Sequence, residues 1–182
     1  MYGEKKRSKG RERAGRERSR EKDEFEQKII DLARVTRVMA GGKRMRFRAC
    51  VAIGDKKGRV AIGMAKGADV TAAITKAVNV AKKNIIEVPI VNSTIPHAIY
   101  VKMGAAKILL KPAQKGKGVM AGGAARIILE LSGIHNVTSK ILGNHNKINV
   151  ARSTIKALDS LKKIEIKKPS PAKTEVEKAQ EK

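Results

Sequence analysis

The sequence predicts an α+β protein made of two two-layer α/β sandwich domains. The N-terminal one has the order α-β-β-β-α and the C-terminal one β-β-α-β-α. Two kinds of period carry this reading. Residues 44–48 alternate basic and apolar side chains as a half-buried strand does and run on into the apolar 49–53, whereas residues 70–85 and 124–131 repeat apolar side chains at helical spacing. A third observation divides the chain: Pro89 and the run Val91-Asn92-Ser93-Thr94-Ile95-Pro96 mark a boundary, since proline interrupts helix and ladder alike. With 182 residues the chain has room for two small domains of roughly 50–150 residues each.

Taken in order, residues 25–32 mix polar and apolar side chains and predict one or two helical turns. Residues 34–39 read as a strand ending at the glycine turn Ala40-Gly41-Gly42-Lys43. In the next strand Met45, Phe47, Ala49, Val51 and Ile53 point to one face, and Arg44, Arg46 and Arg48 to the other. Gly54-Asp55-Lys56-Lys57-Gly58 is a second turn. Residues 59–64 form a third strand with Val60, Ile62 and Met64 inward. From Val70 the period changes, and Val70, Ala73, Ile74, Ala77, Val78, Ala81 and Ile85 mark the buried stripe of a helix. The first domain is thus expected over 25–90.

The second is expected over 91–165. Residues 97–102 and 107–111 read as a strand pair across Met103-Gly104-Ala105. A basic glycine loop, Gln114-Lys115-Gly116-Lys117-Gly118, leads through Ala121-Gly122-Gly123 into a helix with Ala124, Ile127, Ile128 and Leu131 inward, stopped by Gly133. Residues 137–142 supply another strand. Asn149 is positioned to cap a last helix that buries Val150, Thr154, Ala157, Leu158 and Leu161. The flanks, 1–24 and 166–182, are too poor in apolar residues to bury a core and are expected to be disordered.

Composition narrows the function. Lys and Arg number 41 against 17 Asp and Glu, a formal charge of +24, far beyond the magnitude of about 2–8 that suffices for solubility. Such a chain calls for a polyanion: RNA, DNA or an anionic membrane. The domains at 25–90 and 91–165 hold 14 basic with 5 acidic and 12 basic with 3 acidic residues, so most of the excess lies on folded surface. Opposite charges are not interspersed as on a merely solvated face. The basic segment 1–24 lacks an apolar face to insert into a membrane. No secretory signal or membrane span is evident, and a single Cys50 suits a reducing cytosol. Aromatic residues are limited to Tyr2, Phe25, Phe47 and Tyr100. Phosphate and shape recognition is therefore expected over base stacking.

Catalytic constellations are not found. The glycine loop at 116–123 carries Ala121 where a dinucleotide fingerprint has its third glycine, and no Gly-Lys-Ser/Thr triple occurs. His97, His135 and His145 lack metal-ligand spacing, Cys50 has no candidate base, and Asp55 and Glu130 have no evident carboxylate partner. No enzyme activity, cofactor or metal is expected. A free nucleic-acid chaperone and an ATP-binding protein of small-molecule-kinase type are the competing readings of the charge and of the glycine loop.

Several blocks carry a resemblance. Gly41-Gly42-Lys43-Arg44-Met45-Arg46-Phe47, Gly54-Asp55 with Gly58-Arg59-Val60, and the 73–85 helix resemble the RNA-binding half of the small-subunit ribosomal protein five family. Thr94-Ile95-Pro96-His97, Leu110-Lys111-Pro112-Ala113, Gly116-Lys117-Gly118-Val119-Met120-Ala121-Gly122-Gly123 and Asn149-Val150-Ala151-Arg152-Ser153-Thr154 resemble its other half. The resemblance runs from about Phe25 to Leu161.

The resemblance implies a variant double-stranded RNA-binding fold followed by a two-layer α/β domain. It implies a core component of the small ribosomal subunit in the cytoplasm, bound to rRNA where head meets body. It further implies small-subunit proteins four and eight as neighbours and protein three nearby, a place along the channel through which mRNA enters, and a part in translational accuracy. The hairpin at 41–46 corresponds to a loop bordering the spectinomycin site. On this basis the candidates for rRNA contact are Arg34, Arg37, Gly41, Gly42, Lys43, Arg44, Arg46, Arg48, Lys56, Lys57, Arg59, Lys66, Lys115 and Lys117. Gly118, Gly122, Gly123 and Arg126 are candidates for a protein interface. Val70-Thr71-Ala72-Ala73 opens the first long helix without the basic cluster of an ordinary double-stranded RNA-binding domain, so contact with irregular rRNA junctions through sheet and loops is expected.

Overall fold

The computed structural model describes residues 25–162; the expected disordered segments at 1–24 and 166–182 lie outside the described residues. The first domain opens with β1 (Glu26–Met39), β2 (Gly42–Gly54) and β3 (Arg59–Gly67), followed by α1 (Val70–Ala81) and the short β4 (Ile86–Glu87). They form one antiparallel sheet in the order β1-β2-β3-β4. The helix expected over 25–32 is replaced by the first half of β1. Pairing with β2 from Glu26↔Gly54 onward overrides the weak helical pattern, and a register shift between Ile29 and Asp31 turns Ile30 into the core.

The face assignment of β2 holds, with Ala49, Val51 and Ile53 packed under α1. In β3, Val60, Ile62 and Met64 point into a core as expected, but not into the one beneath α1. Register sets Ile53 opposite Ala61 and Val51 opposite Gly63, and paired residues share a face. So Ala61 and Gly63 face α1, and Val60, Ile62 and Met64 face the other way. The helix approaches closely because small residues meet there: a Cβ on Gly63 would lie 1.8 Å from the carbonyl oxygen of Ala77.

The second domain contains β5 (Ile99–Met103), β6 (Ala106–Pro112), β7 (Val119–Met120), α2 (Gly123–Leu131), β8 (Val137–Ile141) and α3 (Lys147–Asp159). Its sheet runs β5-β6-β8-β7, with β7 parallel to β8. The two-residue β7 is an element that periodicity could not disclose. The last helix begins earlier than expected: Asn146, not Asn149, is its cap, and the Asn146 side chain accepts from the N–H of Ile148.

The two domains share a core. Cys50, Ala52 and Val60 of the first sheet pack in one cluster with Ile128 and Leu131 of α2, Ala151 and Leu158 of α3, and Ile108 and Leu110 of β6. Helices α2 and α3 therefore lie between the sheets, α1 covers the far face of the first, and the outer face of the second carries none of the described helices. Backbone bonds tie the join: the N–H groups of Lys56 and Gly58 donate to the carbonyls of Leu131 and Ser132, each at 3.0 Å.

Candidate RNA interface

The expected rRNA-contacting residues separate into two groups at opposite ends of the first sheet. The β1–β2 hairpin turns at Ala40-Gly41, where Gly41 and Gly42 adopt φ of +83° and +149°, conformations that favour glycine. Register places Arg37 opposite Arg44, Val35 opposite Arg46, and both Ala33 and Lys66 opposite Arg48. Arg37, Arg44, Arg46 and Lys66 thus share one face at the hairpin end, where they line a groove of about 350 Å³ with Val35, Thr36 and Met39. Arg34 and Lys43 stand on the opposite face of the same ribbon, beside Phe47 and Val38 respectively.

This face changes character along β2. Beyond Arg48 the same side carries Cys50 and Ala52, which the second domain buries. Arg48 marks the transition: its Nη2 lies 3.3 Å from Asp31 Oδ2, while Lys147 Nζ of α3 lies 3.3 Å from Asp31 Oδ1. Arg48 is therefore braced within the protein, and Arg37, Arg44, Arg46 and Lys66 remain exposed.

The second group surrounds the β2–β3 turn. Asp55, its side chain only 4% exposed, accepts from Arg59 Nε at 2.7 Å and from the N–H groups of Lys57 and Arg59 at 2.8 and 3.0 Å. Burial opposes its ionisation, but these hydrogen bonds and the guanidinium charge outweigh that and hold the carboxyl below the usual range. The Arg59 guanidinium also sits 5.1 Å over the Phe25 ring. Lys56 pairs with Glu26, whose acidity is raised chiefly by that hydrogen bond. Lys56 and Arg59 thus shape the turn, while Lys57 is exposed beside them.

The glycine loop belongs to the same end. Asn136, 7% exposed, directs Oδ1 at the N–H groups of Gly116 and Gly118, at 3.0 and 3.3 Å. Its carbonyl accepts from Thr94 Oγ1 at 2.5 Å. The loop so held presents Lys115 and Lys117 to solvent, with Gly116 and Gly118 at φ of +87° and +74°. The β2–β3 turn and the glycine loop are both anchored to one segment, residues 131–136 between α2 and β8.

Just beyond the loop, Gly122 caps α2, where a Cβ would approach Ile141 Cδ1 to 2.8 Å, whereas Gly123 faces open space. Arg126 is exposed one turn into the helix, with Nη2 3.4 Å from the Val119 carbonyl. Gly118, Gly122, Gly123 and Arg126 therefore cluster around the start of α2. The sequence reading missed Asn136 and Asp31. Neither lies in a periodic pattern, and their partners are 17 to 20 residues distant in the nearest cases. Glu130, without an assigned role from sequence, pairs with Lys28 at 3.0 Å across the domain join.

Among the described residues, no group of three or more His, Cys, Asp or Glu side chains could hold a metal ion, and no helix is long and apolar enough to cross a membrane. Two cationic ends on one joined frame define a basic, two-domain nucleic-acid-binding protein. Comparison with protein families gives that class an address. A model described as ribosomal protein S5, N-terminal domain, matches residues 25–89, and one described as ribosomal protein S5, C-terminal domain, matches residues 101–170. The chain belongs to the ribosomal protein S5 family, a structural, non-enzymatic class of small-subunit proteins that bind rRNA.

Proposed function

We propose that this chain braces the small subunit where head meets body by holding separate rRNA segments at its two cationic ends. Arg37, Arg44, Arg46 and Lys66, with Arg34 and Lys43 behind them, grip phosphates at the hairpin, and Gly41 and Gly42 let RNA approach the backbone. Lys57, Lys115 and Lys117 serve the far end, supported by Lys56 and Arg59. Arginine forks suit bidentate phosphate contact, and lysines add less directional charge. The domains are taken as 25–90 and 91–165.

The observation that carries this reading is the join itself. Backbone hydrogen bonds and a shared core fix the hairpin end relative to the glycine loop, so a contact at one end constrains the RNA held at the other. The cluster Gly118, Gly122, Gly123 and Arg126 is assigned to the interface with small-subunit protein four, and the second domain to a contact with protein eight. With protein three nearby, the chain lines the path by which mRNA enters and biases decoding accuracy. A coupling of about 1–3 kcal/mol is ordinary for such linked equilibria.

Sedimentation of a lysate through a sucrose gradient, with immunodetection of the chain, tests this reading. Stoichiometric presence in small subunits after a salt wash supports it, and Arg44→Glu with Arg46→Glu is expected to lower that occupancy. Spread of the unaltered chain through light fractions contradicts it and favours a free RNA chaperone.

A further inference from the structure

The outer face of the second sheet is unlike either face of the first. Around β2 and β3 each face of the first sheet has a helical cover, α1 on one side and α2 with α3 on the other, while its β1–β2 hairpin end is exposed. The second sheet turns Ile108, Leu110 and Val137 toward the helices, and register places Tyr100, Leu109 and Lys140 in one row across its other face. Tyr100 is 53% exposed at the centre of edge strand β5. Lys102 follows on the same side of β5, and Lys111 on β6, opposite Thr138. Met120, opposite Thr138 on β7, is 52% exposed. No carboxylate side chain occurs between Glu87 and Glu130, nor between Glu130 and Asp159, so every charge on these strands is positive.

We infer that this face is a second RNA surface, on which the Tyr100 ring stacks a base of an unpaired segment while Lys102, Lys111 and Lys140 neutralise its phosphates. A sheet backed by helices and carrying an exposed aromatic among cations is the arrangement that stacks single-stranded bases. Lysines interrupt the apolar positions in both directions, whereas the buried cores of protein interfaces are depleted in lysine. The charge therefore favours RNA over a protein as the occupant. The expectation of phosphate and shape recognition over base stacking rests on the scarcity of aromatic residues in the whole chain; this inference departs from it at Tyr100, which the fold leaves exposed on a sheet face. The inference rests on the rRNA-binding reading but uses none of the hairpin residues.

Fluorescence anisotropy with the full chain and an unstructured pyrimidine RNA of about ten nucleotides, a length within the range of known single-strand sites, tests it. Tyr100→Ala is expected to weaken binding at least about fivefold, as loss of one base stack does, while Tyr100→Phe binds as the unaltered chain. Lys140→Ala is expected to lower the slope of log affinity against log salt by about 0.7. Unchanged affinity in Tyr100→Ala, with binding still weakened by Arg44→Glu and Arg46→Glu, overturns the second surface and leaves the hairpin reading standing. Insensitivity to both sets of changes overturns the two together. In assembled small subunits a photo-crosslinker at position 100 is expected to yield a nucleotide adduct. An adduct with protein alone, or none, overturns the assignment.

Discussion

A Cβ on Gly133 would lie 2.1 Å from the carbonyl oxygen of Lys56, and the glycine holds φ at +83°. This pair is where the end of α2 and the β2–β3 turn meet without an intervening side chain. Gly54 repeats the relationship, since its added Cβ would stand 2.3 Å from the Leu131 carbonyl. Gly133→Ala should separate the domains locally, costing at least about 2 kcal/mol from clash and backbone strain combined. Denaturant unfolding checks this: the midpoint should fall, whereas Gly123→Ala, which meets open space, should shift it little.

Asn136 organises the glycine loop through two backbone N–H groups. Asn136→Ala should cost about 1–3 kcal/mol by leaving these donors without their buried acceptor. The loop should also loosen, so that trypsin cuts after Lys115 and Lys117 faster than in the unaltered chain. Equal cleavage rates would show that the loop is held by something other than this side chain.

Asp55 gives the fold a definite acid sensitivity. Its carboxyl is held below the ordinary range, so its contribution is fully present above the unfolded pKa of about 4 and is lost as pH falls through the lower folded value. The stability difference between the unaltered chain and Asp55→Asn, measured by chemical denaturation, should be constant near neutrality and shrink progressively below pH about 4. A difference that does not vary with pH would contradict the assignment.

Cys50 is 1% exposed in the shared core. Burial, reinforced by the nearby Asp31 charge, pushes its thiol pKa up, so thiolate is scarce and inaccessible. A thiol reagent such as dithionitrobenzoate should modify the native protein only as fast as the domains open. Rapid stoichiometric reaction would show that the join is loose.

Arg126 is exposed at the start of α2 and borders the surface assigned to protein four. Arg126→Glu should change misreading frequency at unaltered subunit abundance, as scored with a near-cognate reporter. Identical misreading would remove the accuracy role from this residue.

The residues differ in how far sequence alone discloses them. The alternation of Arg44, Arg46 and Arg48 with Met45 and Phe47 is legible because a strand's period is local, and carried on through the apolar 49–53 it places Ala49, Val51 and Ile53 correctly beneath a helix. That Cys50 and Ala52 are buried too was not legible, because the cover comes from α2 and α3, more than 70 residues away. The same distance hides the face of β3, whose alternation fits either side until register with β2 decides. Residues 25–32 carry so little pattern that pairing with β2 determines their state. The basic candidates were visible from composition. Which of them are engaged inside the protein, as Arg48 and Arg59 are with Asp31 and Asp55, depends on the fold.

The central claim is that one rigid protein holds two separate stretches of rRNA. Because Cys50 is buried, a cysteine introduced at Val38, 73% exposed on the hairpin, or at Gln114 beside the glycine loop offers a selective point for tethering iron. Hydroxyl-radical cleavage of rRNA in assembled small subunits then reports what lies near each end. The account predicts two distinct sets of cut nucleotides, one from each position. A single common set, or no cleavage from Val38→Cys, would contradict it.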